Sequence, residues 1–276
     1  MLKYSRAALP LFLFLIFTFP ALGQGPKIST VEDIERDVKL VPCKSADRLE
    51  AVQKLFRSVG ATDADIAVDD SKGTKNVVVT KKGTTSEVIV VGAHYDKVDD
   101  GCGAIDNWTG IVAIAHLYGT LRSVETSKTF KFIAFDKEEK GLIGSGNFVS
   151  GIAKTDRASV CSMVNIDSFG FTLPWVMENA SDKPLIGAAK ELWKKMKVDL
   201  VTVPIANADA DSSSFKNAGI PAITFTGLNG DWQNYLHSPN DKLKNIKIDS
   251  VFAGYRFLLP FLVEIDKPAC DTFRKK

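Results

Sequence analysis

The chain has 276 residues, 45% of them hydrophobic and 25% charged, and a formal net charge of +2. This composition excludes a disordered chain, a collagen-like repeat and a multispan membrane protein. The surplus charge is Lys3 and Arg6, both ahead of the first acidic residue, Glu32, so the remainder balances at 33 basic against 33 acidic residues and gives nucleic acid no basic block to bind.

Lys3 and Arg6 lead into an apolar run from Ala7 to Phe19, followed by Ala21-Leu22-Gly23. This pattern predicts a signal peptide over 1–23, cut after Gly23, and a single mature domain over 24–276. The unbroken run from Leu11 to Phe19 falls short of the roughly 20 apolar residues that a membrane span needs. The mature protein is therefore expected to be secreted or periplasmic, with no membrane association. Four cysteines remain, Cys43, Cys102, Cys161 and Cys270, which permit two disulfides in three connectivities. A clasp between Cys43 and Cys270, near the two ends of the mature chain, is the preferred pairing. The sequence leaves oligomeric state open.

Thr30 with Asp33 reads as a capped helix start. A second helix is expected over 47–59, where Leu49, Val52, Leu55, Phe56 and Val59 form one stripe and Gly60 ends it. Strands are expected over 76–80 and 87–92, joined as a hairpin through Lys82-Gly83. Helix 110–121, strand 129–135, helix 145–153, strand 160–166, helix 184–196, helix 212–217 and strand 221–225 follow. A terminal helix over 248–263 is expected to break or kink near Pro260. The alternation predicts a single-domain α/β fold with a mixed, mostly parallel central sheet flanked by helices. Val88-Ile-Val-Val-Gly92 suits a strand covered on both faces.

In such sheets, sites form beyond the carboxyl ends of the strands. There, strand 87–92 runs into His94 and Asp96, strand 129–135 into Glu138 and Glu139, and strand 160–166 into Asp167. Loops add Asp106 and His237. The chain has only three histidines, and two of them fall in this set. Histidine and carboxylate without thiolate suit zinc, with manganese or cobalt as less common occupants. Five such side chains exceed what one catalytic zinc takes and suit two ions that share a carboxylate. Singly, each has a plainer reading: Glu138-Glu139 as a solvated turn, Asp106-Asn107 as a helix cap. Their joint order overrides these. His116, in an apolar helical run, reads as structural.

Five blocks carry a family resemblance: Gly92-Ala-His-Tyr-Asp96, Ala104-Ile-Asp-Asn-Trp-Thr-Gly110, Glu138-Glu-Lys-Gly-Leu-Ile-Gly-Ser145, Asn165-Ile-Asp-Ser-Phe-Gly170 and His237-Ser-Pro-Asn-Asp241. Together they resemble the secreted di-zinc aminopeptidases, metallopeptidase family 28, of the bacterial leucyl aminopeptidase type. The resemblance implies a zinc-dependent exopeptidase fold and peptide substrates with a free N-terminus. It implies that Asp106 bridges two zinc ions, that His94 and Asp167 complete one site and Glu139 and His237 the other, and that Glu138 is the general base. It also implies that Asp96 orients His94 and that the Asp106–Asn107 peptide is cis. Phe169, Trp232 and Tyr235 are the candidates for the substrate side-chain pocket. Two departures stand out. The family's Ser-Asp-His is Ala210-Asp211-Ser212 here, and Leu236 rather than Tyr precedes His237. Asp209 and Asp211 either face the cleft or cap the helix at Ser212. A glutaminyl cyclase with one zinc and a non-catalytic peptidase-like binding domain are the competing readings.

Overall fold

Strand β3 (Val88–His94) sets the architecture. Its side chains alternate between two cores: Ile89, Val91 and Ala93 face one, Val90 the other. A strand apolar on both faces needs neighbours on both edges and helices above and below. It obtains them from β4 (Thr129–Phe135) and β5 (Val160–Ile166), both parallel to it. The computed structural model describes residues 26–274, so the expected signal peptide over 1–23 lies outside the described residues.

The remaining strands are β1 (Ile66–Ser71), β2 (Thr74–Lys81), β6 (Trp175–Met177), β7 (Thr202–Val203) and β8 (Ala222–Thr226). The sheet runs β1-β2-β4-β3-β5-β8-β6-β7, with its central four strands all parallel. The expected hairpin between strands 76–80 and 87–92 does not form. β4 lies between β2 and β3, and β2 pairs antiparallel with it, Val77 opposite Ala134. The hairpin instead joins β1 to β2 through Lys72-Gly73, both at positive φ, the geometry a two-residue hairpin turn demands.

The helices are α1 (Val31–Val38), α2 (Ser45–Ser58), α3 (Thr109–Leu121), α4 (Ile143–Gly151), α5 (Lys183–Lys195), α6 (Ser212–Asn217) and α7 (Ile248–Asp266). The Thr30/Asp33 capping box starts α1 as expected. Almost all of α3 is buried, between the sheet and α1, α2 and α7. α4 and α6 pack together on the other face. α7 continues through Pro260 without interruption.

The preferred Cys43–Cys270 clasp is replaced by Cys43–Cys102 and Cys161–Cys270. Cys43 precedes α2, which packs beside the loop carrying Cys102, whereas Cys270 follows α7 down to β5. Neighbourhood in the fold, not position along the chain, decides the pairing. Among the described residues no helix is long and apolar enough to cross a membrane.

Candidate active site

The parallel run β4-β3-β5 brings three carboxyl ends to one edge of the sheet. β3 lies where chain connections diverge to its two neighbours, the place where a crevice opens in this kind of sheet. His94 is the last residue of β3, Glu138 and Glu139 follow β4, and Asp167 follows β5. Asp106 enters from the turn Ala104–Trp108 ahead of α3, and His237 from the loop before α7.

The five side chains converge on Asp106. Its Oδ1 lies 3.1 Å from His94 Nε2 and its Oδ2 3.2 Å from His237 Nε2. Glu139 Oε2 is 3.1 Å from His237 Nε2, and Asp167 Oδ1 is 3.7 Å from His94 Nε2. Glu138 Oε2 stands 3.9 Å from the same nitrogen. The Asp106–Asn107 peptide is cis, in line with the resemblance. Lys137, Ser168 and His237 all adopt positive φ, which for non-glycine residues is uncommon and concentrates at functional loops.

Groups behind the site hold these loops. Asp241 accepts the Ile105 N–H at 2.6 Å and the Asp106 N–H at 3.2 Å. Arg48 of α2 is fully buried and donates to the carbonyls of Tyr95 (2.9 Å), Asp96 (3.2 Å) and Gly103 (2.6 Å), joining the His94 loop to the Asp106 loop. Gly103 has φ +60, and a Cβ there would sit 2.7 Å from Lys97 and 2.9 Å from Arg48, so glycine is required. Asn107 accepts from Gly110 N at 3.0 Å as a cap for α3, and also from Ser168 N at 3.1 Å, tying the Asp106 and Asp167 loops together. Asp96 Oδ1 is 3.4 Å from His94 Nδ1, a contact rather than a hydrogen bond. Its oxygens accept the backbone N–H groups of Glu138 and Glu139 at 3.0 and 3.2 Å. Asp96 thus steadies the loop carrying both glutamates.

The electrostatics of the cluster are unbalanced. Four carboxylates, Asp106, Glu138, Glu139 and Asp167, face two imidazoles. Burial lowers the basicity of His94, but Glu138 and the aspartates outweigh it and hold the imidazole well above its ordinary value. Asp106 and Glu139 push His237 up to about 10. Burial raises Glu138 well above the usual carboxylate range, with Asp211 and Asp167 adding to the rise. His94 Nδ1 and Glu139 Oε1 are buried without a hydrogen-bond partner. Two like charges 4 Å apart repel by about 4 kcal/mol at an effective dielectric of about 20. Such a cluster is built for cations. Ligand-type atoms of His94, Asp106 and Glu139, and of His94, Glu138 and Asp167, lie within 4.8 Å of one another.

The cluster forms one wall of a cleft of about 540 Å³, whose apolar lining includes Leu142, Met177, Ile205, Leu228, Trp232 and Leu236. Of the three pocket candidates, Trp232 lines the cleft. Phe169 is wholly buried in the main core against Gly254 and Gly227, and Tyr235 packs on Phe171 with ring centroids 5.0 Å apart. Leu236, noted in the sequence only as a departure, takes the position that was expected for Tyr235. Asp209 lines the cleft and bonds Ser213 of α6. Asp211 does not cap α6. It is fully buried, among the described residues neither oxygen has a hydrogen-bond partner, and burial pushes its carboxyl up to about 7. Arg48 and Asp241 were not singled out from the sequence. Arg48 sits beside the apolar stripe of an amphipathic helix, where an arginine is expected to face solvent.

The profile of peptidase family M28 matches residues 76–260. The chain belongs to this family. A probable leucine aminopeptidase of Arthroderma otae is 25% identical over 244 residues, covering 79% of this chain and 64% of that protein. The chain therefore spans a little under two thirds of that relative's length. Among solved structures, LapB from Legionella pneumophila superposes with a TM-score of 0.74 at 22% identity, over 88% of this chain and 73% of that one. A glutaminyl cyclase from an Acidobacteriales bacterium superposes with a TM-score of 0.72 at 15% identity, over 90% of this chain and 98% of that one. Both likenesses concern the fold.

Proposed function

We propose that this M28 chain is an exported di-zinc aminopeptidase that removes N-terminal residues from peptides. The observation that carries the reading is Asp106, with each carboxylate oxygen about 3 Å from a different histidine. The donor set fits the ions: imidazole and carboxylate, an excess of negative charge, and buried polar atoms with no partner. His94 and Asp167 would hold one zinc, Glu139 and His237 the other, with Asp106 shared. Bound zinc supplies Lewis acidity toward the scissile carbonyl and acidifies water, and manganese or cobalt could replace it.

The chain's own residues do the rest. Glu138 takes the proton of the attacking water and returns it to the leaving amine. Its burial suits this role, because a carboxylate made more basic by desolvation accepts a proton from water more readily. Asp96 fixes the backbone from which Glu138 projects. The substrate's free amine lies against the carboxylates, and its first side chain lies against Leu228, Trp232 and Leu236. Export is supported by the N-terminal sequence pattern and by two disulfides, which persist in oxidising compartments.

The deciding experiment measures amine release from a panel of aminoacyl anilides by metal-loaded protein, with N-acetylated versions alongside. Cleavage of only the free-amine compounds, with two metals per chain, is expected. Silence across the panel overturns the reading. A second reading, glutaminyl cyclisation, is favoured by one fact: the cyclase superposition covers nearly that protein's whole length. Ring closure of peptides with N-terminal glutamine, at one zinc per chain, would replace the first reading with it.

A further inference from the structure

A second constellation lies at His116, about 10 Å along α3 from its first residue, Thr109, by the helix rise of 1.5 Å per residue. His116 Nδ1 is 2.8 Å from Ser29 Oγ, and its Nε2 is 3.1 Å from Asp37 Oδ2. Asp37 assigns the proton roles. Arg36 donates to both its oxygens at 2.9 Å. Burial raises the Asp37 carboxyl, but His116 and Arg36 outweigh it and hold it below its ordinary value. An ionised carboxylate only accepts, so the Nε2 proton of His116 faces Asp37, and the relay uses the tautomer whose bare Nδ1 meets the Ser29 hydroxyl. Nucleophile, base and orienting acid then stand in line, each within hydrogen-bond reach of the next.

Ser29 is held through its backbone. Its N–H donates to Tyr255 Oη at 2.9 Å, and that hydroxyl is 2.7 Å from Thr120 Oγ1. Ser29 and His116 open onto a cavity of about 560 Å³ that shares no lining residue with the metal cleft. Lys27, Arg36 and Arg122 also line it. Arg36 is taken by Asp33 and Asp37, but among the described residues the side chains of Lys27 and Arg122 have no ion pair or hydrogen bond. Among the described residues, the one carboxylate in the lining, Asp33, is occupied by Arg36 and Thr30. At Gly60, φ +103, a Cβ would stand 2.6 Å from the Arg122 guanidinium, so glycine leaves that cation its place over the cavity.

We propose that Ser29, His116 and Asp37 form a second, serine-type site that is acylated by small carboxylic esters bearing a negative charge. Ser29 Oγ bonds to the ester carbonyl carbon and its proton passes to His116 Nδ1. The bond to the alcohol oxygen breaks, and the alcohol leaves with that proton. Water then adds to the acyl-serine and gives a proton to His116, which returns it to Ser29 Oγ as the acid departs. Lys27 and Arg122 hold the substrate's charge.

The probe is mono-4-nitrophenyl succinate, with neutral 4-nitrophenyl acetate alongside. It is used on the full chain carrying Glu138→Gln and treated with chelator, which silences the metal cleft. The expected result is a succinyl adduct on the peptide containing Ser29, and nitrophenol release that, after each ester's protein-free rate is subtracted, is at least about tenfold faster from the anionic ester, as electrostatic focusing supplies. Ser29→Ala removes the adduct, and His116→Gln slows its formation about a hundredfold, the usual loss for a general base. Release unchanged by Ser29→Ala, or an adduct confined to lysines, overturns the site. Equal rates on the two esters overturn its substrate class. Ser29→Ala alters only a half-buried hydroxyl, so it decides the matter even where His116→Gln does not fold.

Discussion

His94 and His116 are buried to the same degree, 2% and 1% exposed, and each has an aspartate oxygen 3.1 Å from its Nε2. Their surroundings differ in charge. Around His116 every group has a partner: Asp37 accepts from Arg36, and both ring nitrogens are bonded. Around His94 that is not so. Carboxylates outnumber imidazoles by four to two, and Nδ1 has no partner. Like charges at these separations cost several kcal/mol in a protein interior, which is what supports the proposal that this cluster takes cations. The comparison separates a histidine whose ring nitrogens are both bonded from one set in an excess of carboxylates. Burial and an aspartate neighbour alone do not distinguish them.

The strongest way to break this comparison is Asp106→Asn. An amide offers one acceptor and one donor where two histidines face two oxygens, so no shared ligand remains. Metal content should fall below one ion per chain, and anilide cleavage should drop to background. Retention of two ions would mean that Asp106 does not bridge. Next in size is Glu138→Ala, which removes a proton carrier and leaves the five proposed ligands intact. Metal content by atomic emission should hold at two, while turnover falls at least about a hundredfold. Normal turnover would take Glu138 out of the mechanism. Smaller again is Arg48→Met, which leaves the Tyr95 carbonyl buried without its donor, at about 1–3 kcal/mol, and leaves the Gly103 carbonyl with the Trp108 N–H alone. Because those carbonyls belong to the two loops that carry His94 and Asp106, zinc affinity measured against a competing chelator should fall about 10- to 100-fold. Unchanged affinity would make Arg48 a purely structural residue.

Acidity separates the two regions in opposite directions. Burial holds Asp211 up to about 7 and Asp241 up to about 6. A raised carboxyl stabilises the folded chain fully below its unfolded value and loses that contribution as pH rises through its folded value. Metal-stripped protein should therefore lose melting temperature from about pH 4 to pH 7, the span from the ordinary aspartate value to that of Asp211. Asp37 is lowered, so its contribution is present above its unfolded value and is lost as pH falls through its folded one. Its decline belongs at the acid end and should occur with or without metal. Melting curves of stripped and loaded protein across this range check both. A gap that fails to widen with pH would show that the buried cleft carboxylates do not destabilise the empty site.

Much of this was legible in the sequence because it rests on local pattern. Strand Val160–Ile166 and helix Ser212–Asn217 fall where apolar runs and turn residues put them. The five ligand-type residues converge because each follows a strand or precedes a helix at one sheet edge. What stayed hidden depends on contacts distant in sequence. β6 and β7, at three and two residues, carry no period to read. β1 presents Asp69 and Asp70 on a sheet edge and reads as a polar loop. β2 and β3 are sequence neighbours that face a common partner, β4, and no turn signal reports that. The disulfides depend on the packing of α2 and α7. Arg48 reaches carbonyls more than 45 residues away, and its own helix gives no hint of it.

The smallest expected effect comes from His116→Gln measured in the metal-loaded enzyme. Glutamine keeps a polar group in the layer but cannot span both Ser29 and Asp37 with imidazole geometry. Asp37 retains Arg36, so no bare charge is left and the loss is limited to one or two hydrogen bonds, about 1–3 kcal/mol. For a domain of this size each kcal/mol shifts the melting temperature by about 2–4 °C. Zinc content and anilide turnover should stay within about twofold, because the two clusters share no side chain and sites well apart act independently. A fall in zinc content would show that α3 couples the His116 cluster to the His94 cluster. Because Asp106 lies just ahead of α3 and Asn107 caps it, a shift of that helix is the route by which such coupling would travel.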